Sequence, residues 1–305
     1  MRKKLNPVLD QLNKVVLGKP HQVKLAVACL LAKGHLLIED LPGMGKTTLG
    51  QAVAKVFGLE FQRVQFTSDI LPGDIVGANI YDREKGSFEF HPGPIFSQLV
   101  LADEINRATP KAQSALLEAM EEQQVTIEGK TYPLPQPFFV IATQNPSYQI
   151  GTYSLPESQL DRFLFRVQLG YPEAGFEKVL LRGESGRVQM NKIETLLELS
   201  ELSEIQSFVQ TITISDHLLS YVMDLINATR QSPDFAHGLS PRGGLALIGA
   251  AKAWAFLDER EYVLPEDIQK VFVPTVAHRL QSVKTSSEKI EVLVEQIVHD
   301  TPISA

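Results

Sequence analysis

Residues 35–48 read HLLIEDLPGMGKTT. An apolar run, His35–Glu39, leads into a glycine-bearing loop, Leu41–Thr48, and a helical pattern over Thr47–Phe57 follows. This succession of strand, loop and helix predicts a phosphate-gripping loop. Glycine lets backbone N–H groups turn towards anionic oxygens, and the start of a helix adds a favourable dipole. The expected contacts are Pro42, Gly43, Met44, Gly45, Lys46, Thr47 and Thr48. Lys46 would neutralise β and γ phosphates, and the Thr47 hydroxyl would ligate Mg²⁺, so ATP and Mg²⁺ are the expected cofactors. Asp40 stands where the usual pattern opens with a glycine, which removes one flexible residue and leaves Gly43, Gly45, Lys46 and Thr47 in place.

Outward from the loop, four further runs have strand character: Phe61–Phe66, Gln98–Ala102, Pro137–Thr143 and Arg162–Leu169. Near-continuous apolar runs fit strands buried on both faces of a parallel sheet. Helical patterns such as Pro110–Gln123 lie between most of them, which predicts an α/β layered domain. Two stretches alternate instead, Gly77–Phe96 about Lys85-Gly86 and Gln124–Leu134 about Glu128–Lys130, and read as inserted β-hairpins. After Tyr171-Pro172 the pattern becomes helical, with candidates at Ala174–Glu184, Ile205–Gln210, Asp216–Gln231, Pro241–Leu257, Pro265–Leu280 and Ser286–Val298. The expectation is two domains, an α/β domain over 1–172 and an all-helical domain over 173–305.

The second run carries chemistry at its end. QLVLADE finishes in Asp103 and Glu104, and strand ends in such sheets converge on the ligand crevice. Beside a phosphate loop, Asp103 would hold Mg²⁺ through water and Glu104 would polarise the attacking water. Asn145 ends the next run, where its amide suits either water and γ-phosphate or a turn before Pro146. Arg162 (LPESQLDRFLF) and Arg242 (LSPRGG) read from chemistry alone as surface ion pairs.

The 305 residues are 44% hydrophobic and 21% charged, ordinary for a globular protein. No apolar run approaches the roughly 20 residues needed to cross a bilayer. The opening MRKKLNPVLDQLNK has positive charge but no apolar stretch or cleavage site, so a cytoplasmic protein without membrane insertion is expected. The single Cys29 lies in an apolar helical stretch and reads as a buried structural thiol, and the seven histidines show no zinc spacing. With a net charge of −7 and scattered basic residues, a general nucleic-acid surface is not expected.

The order of these parts resembles the AAA+ ATPases, and the detailed strings resemble their MoxR family. The matching segments are DILPGDIVG (69–77), EINRATPKAQ (104–113), FFVIATQNP (138–146), GTYSLPESQLDRFLF (151–165), LSPR (239–242) and YVLPEDI (262–268). The resemblance spans nearly the whole chain. It implies a three-layer α/β/α domain with a five-stranded parallel sheet, two hairpin inserts and an all-α lid. It implies sensor 1 at Asn145, an arginine finger at Arg162 reaching a neighbour's ATP, sensor 2 at Arg242, and adenine packing on Val16, Leu17 and Gly18. Whether Arg242 serves its own nucleotide or a neighbour's stays open.

The resemblance further implies a homo-oligomer, a hexameric ring, whose ATP hydrolysis remodels a protein client alongside a partner with a von Willebrand factor A domain. Two other readings compete. One is a nucleic-acid-stimulated motor, against which Arg83, Lys85 and Lys130 are the hairpins' only basic residues. The other is a nucleotide-binding interaction module with little hydrolysis, against which stands the set Lys46, Asp103, Glu104 and Asn145.

Overall fold

The computed structural model describes residues 4–145, 151–172, 174–182, 189–283 and 287–303. Pro146, Glu184 and Ser286, which the sequence reading included, lie outside them. Five strands form one parallel sheet in the order β2-β5-β8-β1-β9: β1 (Leu36–Glu39), β2 (Phe61–Gln65), β5 (Leu99–Asp103), β8 (Phe139–Gln144) and β9 (Phe165–Val167). The three central strands are apolar because both their faces are covered. Leu36, Ile38, Leu99, Leu101, Phe139 and Ile141 face one apolar layer, and Leu37, Val100, Ala102, Val140 and Ala142 face the other. Truncating one such side chain, as in Leu101→Ala, costs about 2–5 kcal/mol.

The first layer holds α1 (Leu5–Val15), α2 (Pro20–Leu31) and α3 (Lys46–Val56), and runs without a break into the C-terminal helices. Cys29 sits inside it, fully buried, with its thiol pKa pushed well up by burial. The second layer holds α4 (Pro72–Val76) and α5 (Pro110–Glu122). The short α4, not expected from sequence, starts where the Asp74 carboxylate accepts from Leu71 N at 2.9 Å. Helix α5 begins at Pro110 with Thr109 as its cap and ends at Gln123, whose φ is 52°.

Both hairpins form as expected, β3 (Gly77–Asp82) with β4 (Ser87–Pro92) and β6 (Gln124–Ile127) with β7 (Lys130–Pro133). They are fastened to each other. Phe90 stacks on Tyr132 with ring centroids 4.0 Å apart, and Asn79 donates to the Glu128 carboxylate at 2.6 Å.

The C-terminal helices span Ala174–Leu181, Leu199–Thr211, Asp216–Gln231, Pro241–Leu257, Pro265–Val276 and Ser287–Asp300. Two of them depart most from expectation. The helix expected at Ile205–Gln210 starts earlier, because Glu201 accepts from Glu198 N and caps it there. The one expected to reach Leu280 ends as an α-helix at Val276, two residues beyond Pro274, whose ring cannot donate to the helix. A 3-10 turn, Ala277–Arg279, follows. The expected strand Arg162–Leu169 is only three residues long, and Arg162 stands in the turn before it. Among the described residues no helix is long and apolar enough to cross a membrane.

Candidate active site

All five strands point the same way, so their C-terminal ends share one edge, and the loop after β1 lies there. Gly43 and Gly45 have φ of 86° and 89°, in the left-handed region that glycine enters freely. A Cβ at either would meet nothing within 4 Å, so it is the positive φ and not crowding that calls for glycine at both positions. Lys46 is the first residue of α3 and is buried, with Nζ donating to Asp40 O at 2.7 Å. Burial lowers its pKa, opposed by Asp103, Asp40 and Glu104. Thr47 and Thr48, both half-buried, occupy the first turn of α3, and Met44 packs against the core.

Asp40 is not a neutral replacement for glycine. Its Oδ2 accepts from Leu169 N at 2.8 Å and Gly170 N at 2.6 Å, and its Oδ1 accepts from Leu41 N at 2.8 Å. One carboxylate thus ties the phosphate loop to the chain leaving β9. That chain leads on to the adenine region expected at Val16, Leu17 and Gly18. Lys19 Nζ donates to Tyr171 O at 2.6 Å, and a Cβ on Gly18 would come within 2.7 Å of the Phe176 ring.

At the end of β5, Asp103 Oδ1 accepts from Thr143 Oγ1 at 2.6 Å. Its Oδ2 accepts from Arg63 Nε at 3.1 Å and Nη2 at 2.7 Å. Glu104 has φ of 58°, a conformation that costs a non-glycine residue about 1–3 kcal/mol and collects at functional sites. The Glu104 N–H is held on Thr143 Oγ1 at 2.9 Å. Its carboxylate accepts from Asn145 Nδ2 and Gln65 Nε2, each at 3.1 Å, and pairs with Arg107 Nε at 3.1 Å. Asn145 is buried, and its Oδ1 has no hydrogen-bond partner. Asn106 fixes the Asn145 backbone, donating to its carbonyl at 2.9 Å and accepting from its N–H at 3.3 Å.

These features fit a magnesium triphosphate. The loop turns at two left-handed glycines, a buried amide oxygen lacks a partner, and Thr47 and Asp103 offer the hard oxygen donors that Mg²⁺ takes. Among the described residues no cluster of three or more His, Cys, Asp or Glu could hold a metal. A Mg²⁺ would therefore draw its remaining ligands from phosphate and water, as it commonly does.

The two arginines are elsewhere. Leu164 N donates to His35 O at 2.8 Å, so the Arg162 turn lies beside the start of β1, at the N-terminal edge of the sheet. Strands of three to six residues put that edge roughly 10–20 Å from the other. Arg162 Nη2 pairs with Glu121 Oε2 at 2.8 Å, and Arg242 Nη1 pairs with Glu121 Oε1 at 2.9 Å. Arg242 Nε also lies 3.6 Å from Asp161 Oδ2. They line a cavity of about 260 Å³ together with Lys33, His35 and Arg279. His35 accepts from Val140 N through Nδ1 at 3.0 Å, and burial lowers its pKa from 6.5 to about 4.

The structure therefore gathers Lys46, Thr47, Asp103, Glu104 and Asn145 at one edge, and Arg162 and Arg242 at the other. Sequence reasoning passed over Arg63, Gln65, Thr143, Asn106, Glu121 and Arg279. Polar residues at the ends of apolar strands were the available signal for Gln65 and Thr143.

An ATPase domain with a phosphate loop, paired acids and a helical lid is the class that this fold and site define. Residues 35–165 match the ATPase family associated with various cellular activities (AAA), and residues 227–300 match the AAA lid domain. The chain is 44% identical over 297 residues to the uncharacterized protein YeaC of Bacillus subtilis, covering 96% of this chain and 93% of that one. It is 38% identical over 285 residues to chaperone MoxR1 of Mycobacterium tuberculosis, covering 90% and 75%. It is 32% identical over 311 residues to protein MoxR of Paracoccus denitrificans, covering 94% and 91%. The crystal structure of a presumed ATPase from Cytophaga hutchinsonii superposes with a TM-score of 0.90 at 38% identity, covering 100% of this chain and 96% of that one. The chain belongs to the MoxR family of AAA+ ATPases.

Proposed function

We propose that the chain hydrolyses ATP at a site shared between two copies. One copy supplies the phosphate loop and the acids, and its neighbour supplies Arg162 and Arg242. The observation that carries this reading is the position of both arginines, a sheet's depth away from Lys46 and bridged by one carboxylate, Glu121. Arg242 shares that edge with Arg162, which favours action on a neighbour's nucleotide over its own.

Within one copy, N–H groups of the Pro42–Thr48 loop face the phosphates, and Lys46 leaves the Asp40 carbonyl to neutralise them. Val16, Leu17 and Gly18 pack on adenine. Thr47 and Asp103 hold Mg²⁺, the latter through water, and the ion supplies charge neutralisation of the phosphate oxygens. Glu104 orients the attacking water and takes its proton as the bond between the γ-phosphorus and the ADP oxygen breaks. Asn145 holds Glu104 through its Nδ2 and has its Oδ1 free for that water. The neighbour's Arg162 stabilises charge on the transferred phosphoryl group, an effect worth about 10³–10⁵ in rate.

The boundary between α/β domain and lid falls near residue 172, and motion across it delivers the output. The assembly is a homo-oligomeric, hexameric ring in the cytoplasm. It remodels a protein client, in keeping with the chaperone named among its relatives. A von Willebrand factor A domain partner rests on the family resemblance. A protein client over nucleic acid is favoured by the first hairpin, where Ile80, Tyr81 and Phe88 are exposed.

Phosphate release at several protein concentrations tests the reading. Turnover per subunit is expected to rise with concentration, and Glu104→Gln to abolish turnover while ATP binding survives. Equal turnover by Glu104→Gln and wild type would remove Glu104 from its role. A rate per subunit that ignores concentration would remove the shared site.

A further inference from the structure

The turn that carries Arg162 is gripped by a residue of the lid. Arg279 closes the 3-10 turn after the Pro265–Val276 helix, and its side chain is 5% exposed. Its Nε donates to Asp161 Oδ1 at 2.7 Å. Its Nη2 donates to Asp161 O at 3.2 Å and Phe163 O at 2.7 Å, and its Nη1 to Leu164 O at 3.2 Å. Nη1 also donates to Thr275 O, which anchors the guanidinium to its own helix. Next to it, His278 Nε2 lies 2.9 Å from Phe163 O. The same Nε2 lies 3.0 Å from Arg279 Nη1, and burial drives the His278 pKa well below its ordinary value.

The residues on both sides of Arg162 are therefore held by one planar fork, while the Arg162 side chain reaches out to Glu121. A chain of charges runs from Arg279 to Asp161, Arg242, Glu121 and Arg162. Fold stability does not call for this arrangement. A buried ion pair often contributes no more than well-packed apolar side chains of the same volume. A guanidinium that satisfies four carbonyl groups and a carboxylate does fix geometry, and a lysine ammonium lacks the planar fork to do so.

We propose that Arg279 is the positioning residue for Arg162. It transmits the place of the lid to the arginine that reaches the neighbouring nucleotide, and makes Arg162 and Arg242 move as one unit. This inference rests on the reading of Arg162 as acting in trans. It implies that lid motion in one subunit changes catalysis in the next through the placement of Arg162, as well as through Arg242 of the lid itself.

The test uses full-length Lys46→Ala, Arg162→Ala and Arg279→Lys, alone and mixed. Arg279→Lys alone is expected to lose about 100-fold in kcat with its ATP affinity kept, the effect of misplacing a catalytic group by about 1 Å. Mixed with Lys46→Ala it is expected to regain at least about tenfold, because Lys46→Ala subunits retain an intact finger half. A residue needed only for folding, or for its own phosphate half, shows no such recovery. Arg162→Ala mixed with Lys46→Ala is the control. If the control recovers and the Arg279→Lys mixture does not, the role of Arg279 is overturned and the finger in trans stands. Failure of the control overturns the trans reading and this inference with it. Wild-type kcat for Arg279→Lys alone also overturns the role. Should Arg279→Lys misfold, as read by Trp254 fluorescence and thermal melting, Asp161→Asn replaces it under the same outcomes.

Discussion

The two edges of the central sheet are built differently. At the C-terminal edge, charged groups arise from neighbouring strand ends and loops, and each is fixed by a residue close by. Asp103 is held by Thr143, Glu104 by Asn145 and Gln65, and Lys46 by Asp40. At the N-terminal edge, groups from three separate regions meet. Glu121 comes from the end of α5, Asp161 and Arg162 from the turn before β9, and Arg242 and Arg279 from the lid. The first edge is complete within the α/β layer. The second is completed by Arg242 and Arg279 of the lid, and under the proposed shared site it would report lid position to a neighbour.

The largest effect expected from this contrast is on turnover. Arg162→Ala should lower kcat by about 10³–10⁵ with ATP binding retained, measured by phosphate release and nucleotide titration at saturating protein. A parallel loss of ATP binding would move Arg162 to the near edge and erase the distinction.

Acid should act at the far edge. The unfolded chain protonates His35 near pH 6.5, whereas the folded protein resists protonation until about pH 4. The unfolded state binds more protons in that window, so stability rises with pH there. This contribution is complete above pH 6.5 and is lost as pH falls towards 4, amounting to about 3 kcal/mol. His278 shifts in the same direction. Denaturant titrations across pH 4–7 should show the slope, and His35→Asn should flatten it.

Asp40→Ala comes next. It strips the Leu169 and Gly170 N–H groups of their acceptor, at about 1–3 kcal/mol for each donor left buried and unpaired. A lower denaturation midpoint is expected, with weaker ATP binding as the phosphate loop loosens. Unchanged stability would mean that water replaces the carboxylate. The smallest effect belongs to Glu121→Gln. Partly exposed ion pairs contribute about 0–1 kcal/mol, so release of the two arginines should lower the protein concentration for half-maximal turnover by only a few-fold.

What was legible in the sequence follows the same contrast. Most of the near edge could be read because its groups sit at short, regular offsets from apolar strands, Lys46 and Thr47 after β1 and Asp103 and Glu104 at the end of β5, whereas Asn145 after β8 suited a turn equally well and took its role from the family resemblance. The central strands were legible for a related reason, being apolar on both faces. Gln65 and Arg63 escaped because their partners lie on the adjacent strand, and strand order is not written in local pattern. Asp40 looked like a departure from a motif, since its acceptor role depends on Leu169 and Gly170, about 130 residues further along. The far edge was illegible for the strongest version of this reason. Arg162 and Arg242 stood out only by family resemblance, and nothing local marks Glu121 or Arg279 as their partners, because the cluster forms only once lid and sheet have packed.

The shared site is tested most directly by a mixture of Glu104→Gln and Arg162→Ala subunits, each inactive alone. Random assembly joins an intact acid half to an intact finger half at roughly a quarter of interfaces in a closed ring. Phosphate release in the mixture should therefore rise well above that of either variant and peak near equal amounts. No recovery at any ratio, with mixed assemblies demonstrated by differently tagged subunits, would contradict the account.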